Sequence, residues 1–448
     1  MKKKHPMAAP VVVFALLCSL ILVPAAFATN GMNMEGYGPI ATGMGGASMA
    51  YDNGTAAVMN NPATLSLMES NARLDLAIGF LSPDITSSMS GMPDANSSAD
   101  LFTMPAFGYV RKGGEFVYGV GVFAQGGMGA EYDASSFLAM NSGDKVRSEL
   151  GVGRLIIPLS YSVNKDFAIA ASLDYVWATL DLKMAASVSA LSSMLTSCTG
   201  PLCGIGALPA TNWARIDFSG GGDMNGAARG TGFAGKLGAV YKISPEFTIG
   251  ATYHSKTWLD DMETDSNGAS ISAQGAGPAA PGKITVRDFQ WPETYGIGLA
   301  WNASKELMVV FDYKRINWKD VMKDFKMTFD GSGSVIDFAM PQNWKDQNVF
   351  ELGVAYLFTP ELAGRIGVNI SDNPIPDTYV NPLFPATIKN HYTLGAGYAF
   401  SKNTSVDFSF VYAPEVKSTT MVDTGAGLVP LTISHSQMNE QIMFSYRF

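Results

Sequence analysis

The chain of 448 residues has little charge, and no long apolar run follows its first 28 residues. Charged residues make up 15%, with 30 basic against 39 acidic side chains and a formal net charge of −9. This acidic balance argues against a nucleic-acid binder that uses a broad basic surface. At 47% hydrophobic residues, the chain is too apolar to be disordered. After residue 28 no stretch reaches 18 consecutive apolar residues, which excludes a transmembrane helix in the mature chain.

Cysteine is scarce. Two cysteines remain after residue 28, Cys198 and Cys203, and such close spacing in an exported chain predicts a disulfide, with two free thiols as the alternative. We expect no metal site and no cofactor, because the acidic loop at residues 260–265 lacks a complete EF-hand spacing and is better interpreted as solvated than as a calcium site.

Histidine is also scarce, which disfavours a hydrolase. The chain has four histidines and no G-x-S-x-G motif. An enzyme of that class needs an activated nucleophile beside a base. The spacing of the three histidines after residue 28 gives no triad pattern, and we predict that the protein is not an enzyme. These histidines are His254, His391 and His435.

The first 28 residues have the features of a secretory signal peptide. Residues 1–5 are basic, residues 11–23 form an apolar run, and Ala26-Phe27-Ala28 is a small-x-small cleavage site. The alternative is a retained membrane anchor, but the run is short for a span of about 20 residues. We therefore expect the mature chain to begin near Thr29.

Many later segments alternate between apolar and small or polar residues, which predicts β-strands. Residues 167–177 are representative, and residues 392–400, 405–412 and 441–448 repeat the pattern. The apolar faces of these segments carry no charge, as expected for strands that face lipid. The apolar face of the first segment consists of Phe167, Ile169, Ala171, Leu173, Tyr175 and Trp177.

Short turns alternate with long polar stretches, which is typical of an outer-membrane barrel. Six tight turns give twelve strands, and an opening and a closing strand make fourteen. We interpret two further alternating stretches, 213–219 and 283–290, as extensions of the strands that follow them. The prediction is an all-β, fourteen-stranded antiparallel transmembrane barrel over residues 72–448. The six tight turns lie at residues 111–115, 164–166, 244–246, 302–304, 359–361 and 401–403.

Residues 29–71 precede the first strand and do not alternate. They are rich in small residues but too apolar for a solvated linker, so we place them inside the barrel as a plug, or hatch. Within them, GMGGA at residues 43–47, Asp52-Asn53 and Asn61-Pro62-Ala63 resemble the start of the long-chain fatty-acid outer-membrane transporter (FadL) family, which includes toluene and xylene transporters. Similar stretches follow at residues 291–298, 311–318 and 373–377.

This resemblance implies a monomeric barrel in the bacterial outer membrane that takes up hydrophobic molecules passively. It assigns the hatch motif to Asn61, Pro62 and Ala63. It also implies lateral release of ligand into the membrane through a gap at a kinked strand, for which Gly126 and Gly127 are candidates, with an ordinary strand end as the alternative.

A ligand with a carboxylate would need an arginine or a lysine. Strand parity points Arg154, Lys236 and Lys314 inward, although such charges can also balance lumen carboxylates. The expected partners are a hydrophobic small molecule, outer-membrane lipid and lipopolysaccharide, and the barrel-assembly machinery, but no nucleic acid. The competing functions are a general diffusion porin and an outer-membrane hydrolase, and the loops could also serve as an adhesin or phage receptor.

Overall fold

The computed structural model describes residues 30–218 and 226–448. The predicted signal peptide, residues 1–28, lies outside the described residues. Among the described helices, none has the length and apolar character needed to cross a membrane.

Within these described ranges, twenty-three strands make up one sheet. They are β1 (Ala72–Met89), β2 (Ala95–Asn96), β3 (Phe102–Gly113), β4 (Phe116–Tyr132), β5 (Val146–Ser162), β6 (Phe167–Ser187), β7 (Leu195–Thr199), β8 (Trp213–Phe218), β9 (Ala228–Lys242), β10 (Phe247–His254), β11 (Trp258–Leu259), β12 (Met262–Glu263), β13 (Ala269–Ala273), β14 (Ala280–Arg287), β15 (Thr294–Asn302), β16 (Leu307–Ile316), β17 (Asp324–Gly331), β18 (Ser334–Pro341), β19 (Gln347–Leu357), β20 (Leu362–Ser371), β21 (Asn390–Ala399), β22 (Thr404–Asp423) and β23 (Leu428–Arg447).

Helices are short. Two of those in the described part of the chain are α-helical, α1 (Pro39–Thr42) and α2 (Val188–Met194). The 3₁₀ segments are Gly54–Val58, Pro62–Leu67, Phe137–Ala139, Pro201–Ala207, Trp318–Asp320 and Asp377–Tyr379.

Antiparallel pairing closes the sheet into a barrel. The circuit runs from β1 through β3, β4, β5, β6, β9, β10, β15, β16, β19, β20, β21, β22 and β23, and β23 pairs with β1. The expected tight turns join neighbouring strands of this circuit at one end of the barrel, for example between β21 and β22. Each strand of this circuit pairs with a neighbour on both sides over at least part of its length, which a sheet in lipid requires.

The predicted count of fourteen strands is wrong: the sheet has 23 strands over residues 30–218 and 226–448. The stretches at 213–219 and 283–290 are not extensions of the strands that follow them. Instead, β8 pairs with β6 and β13, and β14 pairs with β12, β13 and β17. The prediction failed because it treated the polar stretches between hairpins as loops.

The strands outside the closed circuit also alternate, but their outer faces carry charged and polar side chains that suit water rather than lipid. In β17, Phe325 and Met327 are buried, whereas Lys326 lies on the opposite face. A two-residue turn at Ser332 and Gly333, both with positive φ, connects β17 to β18. Such turns match the twist of a hairpin, so this region extends the barrel beyond its lipid-facing band.

The alternation places large side chains on the outer face of the circuit strands and small or polar side chains on the inner face. In β6, Leu173 and Tyr175 are 56% and 41% exposed, whereas Asp174 and Val176 between them are fully buried. A face of exposed, uncharged, large side chains is stable only in contact with hydrocarbon. The lumen is therefore lined by the small and polar face.

Residues 30–71, the described part of the predicted hatch, fold inside this lumen. Met44, Val58 and Ala63 are buried. Glycines on the inner wall let the hatch backbone approach closely: a Cβ on Gly250 would lie 1.8 Å from the Met49 carbonyl oxygen, and one on Gly367 would lie 2.2 Å from the Gly45 nitrogen. The inner wall is therefore complementary in shape to the hatch backbone.

Candidate functional site: the hatch and a window in the barrel wall

Asn61 joins two parts of the hatch to the barrel wall. Its side-chain amide donates to the carbonyls of Met49, at 2.7 Å, and of Ala239 in β9, at 3.0 Å. Its side-chain oxygen accepts from the backbone N–H of Ala63, at 3.1 Å, and so caps the 3₁₀ turn that begins at Pro62. The Asn-Pro-Ala motif is thus a structural clamp with one contact on the wall, and its role in gating stays a prediction.

Replacement of this clamp gives a direct test. Asn61→Ala removes three hydrogen bonds from a fully buried site, and each is worth about 0.5–1.5 kcal/mol. We expect the hatch to loosen while the barrel still assembles, seen as faster backbone hydrogen exchange in residues 49–63. The matched control is Asn302→Ala at an exposed tight turn. Equal exchange in both variants would contradict the clamp.

Charged groups on the inner wall hold the hatch backbone. The Asp312 carboxylate accepts from the N–H groups of Ser48, at 2.6 Å, and Met49, at 2.9 Å. Lys236 donates to the carbonyls of Val58 and Met59. These charge-assisted bonds satisfy hatch groups that have no partner in a helix or sheet.

Lys314 and Arg154 each form an ion pair with an acidic side chain. Lys314 donates to the Glu351 carboxylate at 2.8 Å and to the Gly46 carbonyl at 3.3 Å. Arg154, fully buried, donates to Asp174 at 3.1 Å and to the side chain of Gln125. All three candidate ligand anchors therefore bind other groups of the protein. Lys236 and Lys314 donate to carbonyls of the hatch, whereas Arg154 binds side chains of the barrel wall.

β3 and β4 separate partway along the barrel wall. Their ladder ends at the pair formed by Ala106 and Phe123. The two sides meet again where the N–H of Ser98, in the segment before β3, donates to the Glu131 carbonyl at 2.8 Å. We call the opening between these two contacts the wall window.

The amino-acid sequence of both strands explains the wall window. Pro105 of β3 has no N–H to donate across the gap. In β4, the register with β5 shifts between Ala124 and Gly126, which bends the strand away from its ladder. The two candidate kink glycines, Gly126 and Gly127, lie at this irregularity. Their role in lateral release stays a prediction.

The first described residues of the hatch cover the inner side of the wall window. The N–H of Gly127 donates to the Met32 carbonyl at 3.1 Å, and Asn33 forms a β-bridge with Gly126. The Trp291 indole N–H donates to the Asn33 side chain at 2.7 Å. We call Met32 and Asn33 the hatch edge, because they pair with the unfinished edge of β4.

A cavity of about 240 Å³ connects the lumen with the wall window. Met32 and His435 line it from the lumen. Trp177 and Gly153 line it from the outer face of the wall, as strand parity requires. Its other lining residues are mostly apolar and include Leu81, Ile85, Phe102, Met104, Val122 and Val152.

A smaller cavity of about 30 Å³ adjoins the first. It lies between the hatch, at Tyr37 and Gly38, and the wall, at Gly79 and Gln441. The two cavities share the lining residues Met34, Met104, Pro105, Phe123 and Ala124.

None of Arg154, Lys236 and Lys314 lines the larger cavity as the described residues define it. The alternation along each strand predicted that these side chains point into the lumen, but it could not predict which groups they contact there. Their role as carboxylate anchors stays a prediction. The sequence analysis missed Pro105, although a proline within a strand is a recognised sign of broken pairing. It also missed the hatch edge, which no motif marks.

The cysteines line neither cavity and lie in β7 and the 3₁₀ segment that follows it. Cys198 and Cys203 are joined as a disulfide with sulfur atoms 2.06 Å apart. Among the described residues, no cluster of three or more histidine, cysteine or acidic side chains is arranged to hold a metal ion.

The fold and the site define a barrel of the outer membrane with an internal plug and an opening in its wall. The family model described as outer membrane protein transport protein (OMPP1/FadL/TodX) matches residues 15–446. The chain belongs to this family of outer-membrane transport proteins, whose members are channels rather than enzymes.

Individual proteins show the same relationship. The crystal structure of the P. putida toluene transporter TodX is 30% identical and superposes with a TM-score of 0.82, covering 92% of this chain and 99% of that one. Outer membrane protein P1 of Haemophilus influenzae is 23% identical over 88% of this chain and 89% of its own length. A shorter match, 47% identical over 88 residues, links 19% of the chain to an uncharacterised protein of Chlorobium limicola and spans 43% of that protein.

Proposed function

We propose that this protein carries small hydrophobic molecules passively across the outer membrane and releases them sideways through the wall window. The observation that carries the proposal is the apolar cavity, which has lumen residues at one side and lipid-facing residues at the other. The toluene transporter among its structural relatives supports the substrate class.

The driving force is the transfer of apolar surface out of water. Each buried CH₂ contributes about 0.8 kcal/mol. A ligand that reaches the cavity from the loop end is already largely desolvated, and the next apolar environment is the membrane beyond the wall window. Movement from cavity to lipid therefore needs no coupled energy source.

Uptake by cells tests this proposal. Cells that lack other transporters of this kind and express the full chain should accumulate toluene faster than vector controls, and a protonophore should not reduce the rate. Uptake of a small sugar, measured in the same cells, should not change. Equal stimulation of sugar and toluene would favour the general diffusion porin and contradict the proposal.

The hydrolase alternative is tested by incubating the purified protein with ester and peptide substrates. We expect no product above the buffer control. Release of product that depends on the protein would contradict a purely transporting role.

The remaining partners follow from the position of the barrel in the outer membrane. We infer contacts with lipopolysaccharide at the loop end and insertion by the barrel-assembly machinery. We also infer a monomer, since the exposed apolar side chains encircle the wall as a lipid-facing band. Crosslinking in intact outer membranes that produced a specific dimer would contradict the monomer.

A further inference from the structure

The charged residues that line the larger cavity have one sign. Within the described part of the chain they are Glu35 and Glu149, and no lysine or arginine lines the cavity. The Glu35 carboxylate accepts from the Asn439 amide at 3.2 Å, and Glu149 pairs with Arg147 at 2.5 Å. Arg147 offsets the charge of Glu149, so a ligand carboxylate here would meet the Glu35 carboxylate and find no cation among the lining residues to pair with, which is electrostatically unfavourable.

His435 adds a hydrogen-bond acceptor to the same cavity. Its Nδ1 lies 2.7 Å from the Pro385 carbonyl oxygen. Because a carbonyl oxygen can only accept, Nδ1 must carry the proton. In the neutral ring Nε2 then presents a lone pair.

The Nε2 atom of His435 is buried at the cavity. His435 is 6% exposed, and within the described residues its Nε2 makes no hydrogen bond of good geometry, although the Gln437 side chain lies nearby. A buried acceptor without a partner is unfavourable, and a ligand that donates to it would remove that penalty. Pro385 also lines the cavity, so the bond to its carbonyl holds the ring at the cavity surface.

Cavity size restricts the ligand further. About 240 Å³ lies below the roughly 300–1,000 Å³ that drug-sized ligands occupy. A molecule with a single ring fits this space better than a long alkyl chain.

We propose that the cavity selects small hydrophobic molecules that carry one neutral hydroxyl group, and that this hydroxyl donates a hydrogen bond to Nε2 of His435. The class comprises methylphenols and comparable small alcohols. This inference rests on the proposed uptake function and narrows its substrate class: it disfavours carboxylate anions and places plain hydrocarbons second.

Three ligands that differ in one substituent test the inference. The full-length protein in lipid nanodiscs is equilibrated at pH 7 with toluene, 4-methylphenol or 4-methylbenzoate, and protein-free nanodiscs are subtracted. The phenol is neutral at this pH and the benzoate is ionised. We expect 4-methylphenol to bind about tenfold more tightly than toluene, a factor that corresponds to about 1.4 kcal/mol, and 4-methylbenzoate to bind most weakly.

Variants assign the preference to one side chain. His435→Phe should bind both neutral ligands equally, with toluene affinity within about twofold of the unchanged protein. His435→Gln, which keeps an acceptor oxygen, should restore part of the preference. His391→Phe is the matched control, since His391 is also buried on the inner wall but does not line the cavity, and it should keep the full preference.

Several outcomes would overturn the inference. Equal binding of toluene and 4-methylphenol by the unchanged protein would do so and would leave the uptake proposal intact. Preferred binding of 4-methylbenzoate would do so in favour of a carboxylate anchor. A preference that persists in His435→Phe would exclude this histidine. Failure to bind any of the three, together with absent toluene uptake by cells, would instead remove the proposed function itself.

Discussion

Deletion of residues 29–71, with the signal peptide kept, should convert the closed barrel into an open pore. The hatch fills the lumen so completely that Met44, Val58 and Asn61 are fully buried. Without it, water would enter a wide cylinder lined by small and polar side chains, as in porins. We expect the single-channel conductance in planar bilayers to rise at least about tenfold and sugar uptake by cells to appear.

A point variant covers the case in which the deletion prevents assembly. Asp312→Ala removes the carboxylate that accepts from two hatch N–H groups, and it should give intermittent openings of the same size. Asp330→Ala, an exposed aspartate on β17, is the control and should stay closed. A correctly assembled deletion variant with unchanged low conductance would show that residues 29–71 do not close the bore.

The faces of the wall strands could be predicted from the sequence because their environments differ so strongly. Lipid on one side and lumen on the other impose a period of two, so Leu173 and Asp174 could be assigned to opposite faces from the pattern alone. The location of the hatch followed from the same logic: an apolar segment without alternation cannot be a wall strand and is too apolar for water.

The strands beyond the membrane could not be predicted by that rule. Phe329 and Ile336 belong to strands whose inner faces pack in the loop region and whose outer faces meet water, so the lipid criterion did not apply. Alternation combined with charge on the outer face, as at Lys326 and Asp330, would have been the better signal. The turn at Ser332 and Gly333 marks the hairpin directly.

The sequence pattern also could not predict which groups the charged side chains of the lumen contact. Parity shows that Lys236 points inward, but the carbonyls it contacts lie 177 and 178 residues away, in the hatch. Such contacts depend on how the hatch folds within the barrel. The same is true of the hatch edge, where the Gly127 N–H donates to the Met32 carbonyl and the bond uses backbone atoms rather than characteristic side chains.

A bulky side chain at the outer mouth of the wall window should block release. Gly151 of β5 lies on the outer face and lines the larger cavity. A Cβ there would have Thr179 Oγ1 at 3.6 Å as its nearest neighbour, an ordinary contact, so a side chain at this position does not clash at its first atom. The indole would fill the path between cavity and lipid, and we expect toluene uptake by cells to fall at least about tenfold, equivalent to about 1.4 kcal/mol or more.

A second glycine separates this effect from a general effect on the barrel. Gly235 of β9 also faces outward, and its nearest neighbour to a Cβ would be the Ser172 carbonyl oxygen at 3.5 Å, but it lies outside the cavity lining. Gly235→Trp should therefore keep normal uptake. Equilibrium binding of 4-methylphenol should survive in Gly151→Trp, because His435 lies on the lumen side of the cavity. If Gly151→Trp retained full uptake, substrate would have to leave through the bore, and lateral release would be contradicted even with the hatch in place.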